Sequence, residues 1–403
     1  MINASSSIQS TPSGRRSTSS LLVTFAAALI AAIVLLLVAV QRTDAQVQGG
    51  AWAWGQNVYG QLGDGTTTQR NAPVRVGGLS SGVQDIEGGF YHSLALKTDV
   101  TGESTVWAWG RNDFGQLGVG TTTRRNAPVQ VGGLSGVQDI AAGHSHSLAL
   151  KTDATGESTV WAWGKNEYRQ LGDGTTTDRR TPVQVGDLSD VKSISSGGQH
   201  GLALKSDDTL WAWGKNQFGE LGDGTTTNRS TPVKVLSEVQ AVAGGQLYTL
   251  ALKKDGTLLA WGRNNYGQLG TGTTTDSINP VEVLSNVKAI GAGYAHSLAL
   301  KSDGTLWAWG KNDYGQLGDG TTTQRNAPVQ VRGFSDEQAI ITGGYRHSLA
   351  LKSDGTVWAW GRNKYGQLGA AGTTTQRNTP VQVRGISGVQ NIDGGGNHNL
   401  AIR

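Results

Sequence analysis

The chain has 403 residues, a net charge of +4 and no cysteine, which excludes disulfides, thiolate metal sites and cysteine nucleophiles. Its 60 glycines against 8 prolines would read as disorder in an aperiodic chain, but here the glycines recur at fixed offsets and mark turns and close strand packing. Arg15, Arg16 and Arg42 against Asp44 supply +2 of the charge; the remainder, 31 basic and 29 acidic residues without long runs of one sign, reads as a mixed solvated surface without the basic stripe of a nucleic-acid binder.

In chain order, residues 1–20 are a polar segment containing the Arg15-Arg16 pair. Residues 21–40, LLVTFAAALIAAIVLLLVAV, carry Thr24 as their one polar residue. At about 1.5 Å per residue, such a helix spans about 30 Å, the thickness of a bilayer core. The stretch therefore reads as a transmembrane anchor or as the hydrophobic core of a signal peptide cleaved after Thr43-Asp44-Ala45. Both readings, with Arg15 and Arg16 held inside, put the rest of the chain outside the cytoplasm, secreted or anchored in the cell membrane. Residues 41–49 form a short linker, and residues 50–403 form one repeating domain.

The string WAWG or a near variant begins at Trp52, Trp107, Trp161, Trp211, Leu259, Trp307 and Trp358. Each copy continues through a version of N-x-Y/F-G-Q-L-G-x-G-T-T-T, a proline with V-x-V, a short apolar stretch, a version of G-x-x-H-S-L-A-L and, in all but the last, a turn such as Lys301–Thr305. Four short β-rich stretches per copy, bounded by glycine, aspartate, asparagine and proline, predict four antiparallel strands. Repetition about every 50 residues predicts an all-β, seven-bladed propeller, preceded by one hydrophobic amino-terminal helix. The proline is expected at the start of the outer strand, where a missing N–H costs least. The pattern opens at a third strand and closes at a second, so one blade must combine both ends of the chain. Alternation puts the two tryptophans of each string on one strand face. Trp54, Trp109, Trp163, Trp213, Trp261, Trp309 and Trp360 are accordingly expected to be structural core.

The unit G-x-x-H-S-L-A-L, D-G-T-L-W-A-W-G-x-N-x-Y-G-Q-L-G, P-V-x-V resembles the repeat of the regulator of chromosome condensation family over residues 50–403. The resemblance implies a seven-bladed propeller that serves as a protein-binding platform. The family's founding member is a nucleotide-exchange factor for a nuclear GTPase; other members include a plant ultraviolet-B photoreceptor and a secreted inhibitor of β-lactamases.

Comparing copies separates fixed positions from free ones. The free pair in G-x-x-H should lie on the same face as the N-x-Y-G-Q-L-G loops, opposite the TGES insertions at Thr101–Ser104 and Thr155–Ser158. From this ring Phe90, Tyr91, His144, Gln246, Leu247, Tyr294, Tyr345, Arg346 and Asn397 are the candidate contacts to a protein or cell-surface partner, being rich in types enriched at binding hot spots. His92, His146, His200, His296, His347 and His398 share one register, which reads as a recurring structural hydrogen bond. Asp64, Asp173, Asp223 and Asp319 in the L-G-D-G-T-T-T strings lack the dense oxygen ligands of a calcium loop and read as turns. No metal, cofactor or catalytic constellation is expected, and no phosphate-binding glycine loop occurs. The expectation is a monomeric, non-catalytic binding scaffold without a nucleic-acid partner. The alternatives are guanine-nucleotide exchange, as in the founding member, and a hydrolase with its site in the central channel.

Overall fold

Residues 49–370 and 374–403 are described by a computed structural model. The described residues form seven four-stranded antiparallel sheets, each joining the last two strands of one copy, nearest the axis, to the first two of the next. Blade 2 shows the plan: Val83–Gly88 innermost, then His92–Thr98, Ser104–Gly110 and Arg125–Gln130. The inner strands of blades 3 to 7 are Val137–Ala142, Val191–Ser196, Val239–Gly244, Val287–Ala292 and Ile340–Gly343. Blade 1 joins Asn391–Gly394 and His398–Ile402 to Ala51–Gly55 and Arg70–Arg75. The expected closure is present, with Trp54 paired to Asn399 across it. Successive inner strands touch around the full circle, so neither end of the chain leaves an open edge in the ring.

The second large residue of each string, a tryptophan in all seven from Trp54 to Trp360, is fully buried. The first is half-buried at the outer rim, where Lys97 sits over Trp107 and Lys301 over Trp307. Apolar cores lie between blades rather than at one centre. One of them combines Ala51, Leu62, Leu400 and Ile402 of blade 1 with Ile86, Ala95 and Trp109 of blade 2. Small residues opposite large ones also make room within a blade: Gly201 lies so close to its cross-strand partner Trp213 that a β-carbon would fall 2.3 Å from the ring.

The outer strand corrects one expectation. It begins at Arg70, so Pro73 stands fourth rather than first. The register jumps here: Gly55 faces Arg70 while Ala53 faces Val74. The proline falls in this bulge, where the ladder is already interrupted and its missing N–H costs little. The stretch 21–40 and the polar segment before it fall outside the described residues. Among the described residues no helix is long and apolar enough to cross a membrane.

Candidate protein-binding face

The loop after each tryptophan string is folded by its own side chains. In blade 1, Asn57 Oδ1 accepts the Leu62 N–H at 2.9 Å, and Asn57 Nδ2 donates to the Thr66 and Thr68 carbonyls. Gln61 Oε1 accepts the Tyr59 N–H. Asp64 accepts the Thr66 N–H and hydroxyl and pairs with Arg70 at 2.6 Å. Burial pushes this carboxyl up, but the Thr66 and Arg70 contacts outweigh it and hold it below the usual carboxylate range. Asp173, Asp223 and Asp319 repeat the arrangement with Arg179, Arg229 and Arg325. These aspartates organise turns, as their sequence context implied.

A second set of bonds pins neighbouring blades together below this face. The backbone carbonyl of Gln61 in blade 1 accepts both the Trp109 indole (2.9 Å) and the Ser93 hydroxyl (2.8 Å) of blade 2. His398 Nε2 of blade 1 reaches the same hydroxyl at 2.9 Å. The pattern continues with His92 on Ser147, His200 on Thr249, His296 on Ser348 and His347 on Asn399. Where Gly201 replaces the serine, His146 turns to Ser196, and where Tyr248 replaces the histidine, its hydroxyl donates to the His296 carbonyl. Because the serine proton goes to the carbonyl, Nε2 must carry the histidine proton; Asn399 Oδ1, an acceptor, requires the same. Burial lowers His92, His146, His200, His296 and His398 to about 3 and His347 to about 4, so all six are neutral struts.

These struts fix the G-x-x-H pairs at the axis. A β-carbon at Gly89 would fall 2.2 Å from the His92 ring, which accounts for the glycine. The first member of several pairs turns to the axis and forms an aromatic plug. Phe90 stacks on His144 (4.3 Å between centroids) and meets Tyr345 edge-on (5.2 Å), and Tyr345 meets Tyr294 (4.4 Å). Backbone bonds such as Tyr345 N to Gly396 O and Gly396 N to Gly89 O link adjacent pairs around the ring. Second members lean outward onto the loops. Tyr91 packs on Tyr59, Arg346 donates to Tyr314 at 2.9 Å, and Lys215 donates to Gln199 at 2.9 Å. Phe90, Tyr91, His144, Gln246, Leu247, Tyr294, Tyr345 and Arg346 are half-buried, so they present edges rather than whole side chains. Asn397 is a correction: it is buried, bonded to Gln56 and Gln367, and braces the loop instead of facing a partner.

Reading the sequence for charge runs missed a belt of cations. The residue after the motif glycine is Arg111, Lys165, Lys215, Arg263, Lys311 or Arg362 in six blades and Gln56 in blade 1. Five of these cations stand over the aromatic ring of the preceding blade's loop between Arg111 on Tyr59 (5.2 Å) and Lys311 on Tyr266 (4.1 Å), and Arg362 follows suit on Tyr314 (5.2 Å). Copies about 50 residues apart meet in one ring, so a patch can form without any run of like charge. Asp113, Glu167 and Asp313 each pair with the belt cation two residues before them. Lys215, Arg263 and Arg362 have no such acid at that place.

Among the described residues, no acid–histidine pair lines the central channel. Its acids staple inner strands: Asp393 accepts the Gly88 N–H (2.7 Å) and the Thr342 hydroxyl (2.9 Å), and Asp139 accepts the Ile194 N–H (3.0 Å). Burial raises Asp393, while the histidines are held in the seams between blades. Among the described residues no group of three or more histidines and acids is arranged to hold a metal ion.

The repeat profile described as regulator of chromosome condensation (RCC1) matches residues 48–96, 103–150 and 157–204, and that of the RCC1-like domain matches residues 203–403. The human E3 ubiquitin-protein ligase HERC2 is 36% identical over 176 residues, 41% of this chain but 4% of that protein. The ultraviolet-B receptor UVR8 of Arabidopsis thaliana is 36% identical over 155 residues, 38% of this chain and 33% of the receptor. The chain thus spans a third or less of these relatives. The solved structure of Prp20p from Saccharomyces cerevisiae, described with its binding properties to Gsp1p and histones, matches with a TM-score of 0.77 at 22% identity, covering 90% of this chain and 94% of that one. Human WBSCR16 matches with a TM-score of 0.77 at 23% identity, covering 88% and 98%. These structural likenesses establish the fold.

Proposed function

The chain belongs to the RCC1 repeat family, and from that premise we propose that it is a non-catalytic scaffold that holds a protein partner outside the cytoplasm. The observation that carries the reading is the convergence on one face of the aromatic plug, the half-buried second residues of the pairs and the cation–aromatic belt. Aromatic and arginine side chains held rigidly in place supply binding energy at low entropic cost. A related propeller described with binding to Gsp1p and histones is consistent with a protein partner. The extracytoplasmic placement rests on the apolar stretch 21–40 behind Arg15-Arg16.

The internal repeats supply a test that spares the fold. Tyr294→Gln, Tyr345→Gln and Arg346→Gln install side chains already present at equivalent places, Gln246 and Gln199. The triple variant should keep its unfolding transition and lose partner capture; retained capture counts against the face. Fractionation of the expressed full-length chain with amino-terminal sequencing tests the placement. A soluble exported product starting near Gln46 means a released binder, an intact membrane-bound one a tethered binder, and a cytosolic product removes the placement.

A further inference from the structure

The belt is uneven, and its unevenness marks a site. The residue after the loop asparagine is Asp113, Glu167 or Asp313 in blades 2, 3 and 6, where it pairs with the belt cation. In blade 7 the same place holds Lys364, so a second cation stands where other blades put the neutralising acid. Two guanidinium groups approach Tyr314 of blade 6, Arg346 at 5.0 Å and Arg362 at 5.2 Å from its ring centre. Lys364 lies 5.7 Å from the neighbouring Tyr365 ring. Among the described residues no carboxylate forms an ion pair with Arg346, Arg362 or Lys364. A depression of about 390 Å³ opens beside Arg362 and Lys364, lined also by Tyr314, Asn363, Thr374 and Gln376.

Like charges gathered without a counter-charge repel, and an incoming oxyanion relieves that repulsion while accepting paired hydrogen bonds from a guanidinium. Resting on the scaffold reading above, we propose that the junction of blades 6 and 7 is an oxyanion site that anchors the carboxylates of an acidic segment of the protein partner. The depression is open, and Tyr314, Tyr345 and Tyr294 continue from it toward the axis; a peptide can cover those rings, whereas a free inorganic ion cannot.

The test uses the full-length chain in non-ionic detergent and a fluorescein-labelled hexaglutamate peptide, followed by fluorescence anisotropy at low ionic strength. Saturable binding is expected, and Lys364→Asp, which installs the residue of blades 2 and 6, should weaken it by about tenfold or more with an unchanged melting temperature. Equal affinity of Lys364→Asp, absence of saturable binding, or equal binding of hexaglutamine overturns the site. Displacement by inorganic phosphate well beyond that by chloride of equal ionic strength overturns the peptide assignment in favour of a free anion. If Arg263→Gln, two seams along the belt over Phe218, abolishes peptide binding while Lys364→Asp does not, this junction falls and the wider face stands.

Discussion

At the residue scale, one histidine per blade does its work by staying neutral. His92 Nε2–H needs the Ser147 oxygen, because the serine's own proton goes to the Gln116 carbonyl at 2.9 Å. Ser147→Ala should therefore cost about 1–3 kcal/mol in urea unfolding, the range for a buried donor left without its acceptor. A loss within experimental error would mean the strut carries no energy. Acid should act on all six seams at once. An unfolded histidine titrates near 6.5, whereas burial holds these at about 3, or about 4 for His347. Between those values the unfolded chain binds more protons, so stability is fully present above about pH 6.5 and is lost progressively as pH falls toward 3. Melting temperature against pH checks this; a flat profile from pH 7 to 4 contradicts it. The shared register of the histidines was legible as structural in the sequence. Their partners were not, because each lies on the next blade, about 50 residues away or, for His398 on Ser93, 305 residues away.

At the scale of the element, the repeats act as their own controls. Four loops hold the Asp–Arg pair, but blade 2 has Val119 at that place, and Arg125 Nε is buried without a partner. Val119→Asp should restore bonds to Arg125, Asn112 and Thr121 equivalent to those around Asp64, raising stability by about 1 kcal/mol. Unchanged or lower stability would mean that the valine's packing against Leu117 and Val131 outweighs the pair. The four strands, the turns and the tryptophan faces followed from periodicity and turn residues. The outer strand was drawn too short, because a bulge lets Arg70 pair with Gly55 beyond the proline. The belt is not legible in the sequence, since one Lys or Arg per repeat looks like ordinary surface until the ring brings the copies together. The recurring basic residue after the motif glycine was the available signal.

At the scale of the whole molecule, closure is the weak point. Truncation after Ile386 removes Asn391–Gly394 and His398–Ile402, exposes the Ala51–Gly55 edge and strips Leu400 and Ile402 from a core. The truncated chain should lose cooperative unfolding and aggregate on size-exclusion chromatography; a monomeric, cooperatively folding product contradicts the closure account. The closed ring, its blade count and the shared face of the two loop sets could all be read from the sequence. The buried place of Asn397 could not, since nothing local separates it from the half-buried Arg346 of blade 7. The central claim is that one face of the propeller meets the partner, and face-resolved photo-crosslinking in the native cell tests it most directly. A photoreactive residue at Gln217 or Asn265, both exposed on the belt face, is compared with one at Asp255 or Ser302 on the opposite hairpins. The account predicts a common protein adduct from positions 217 and 265 and none from 255 and 302. Adducts from the hairpin positions alone would move the binding surface to the other side of the ring and contradict it.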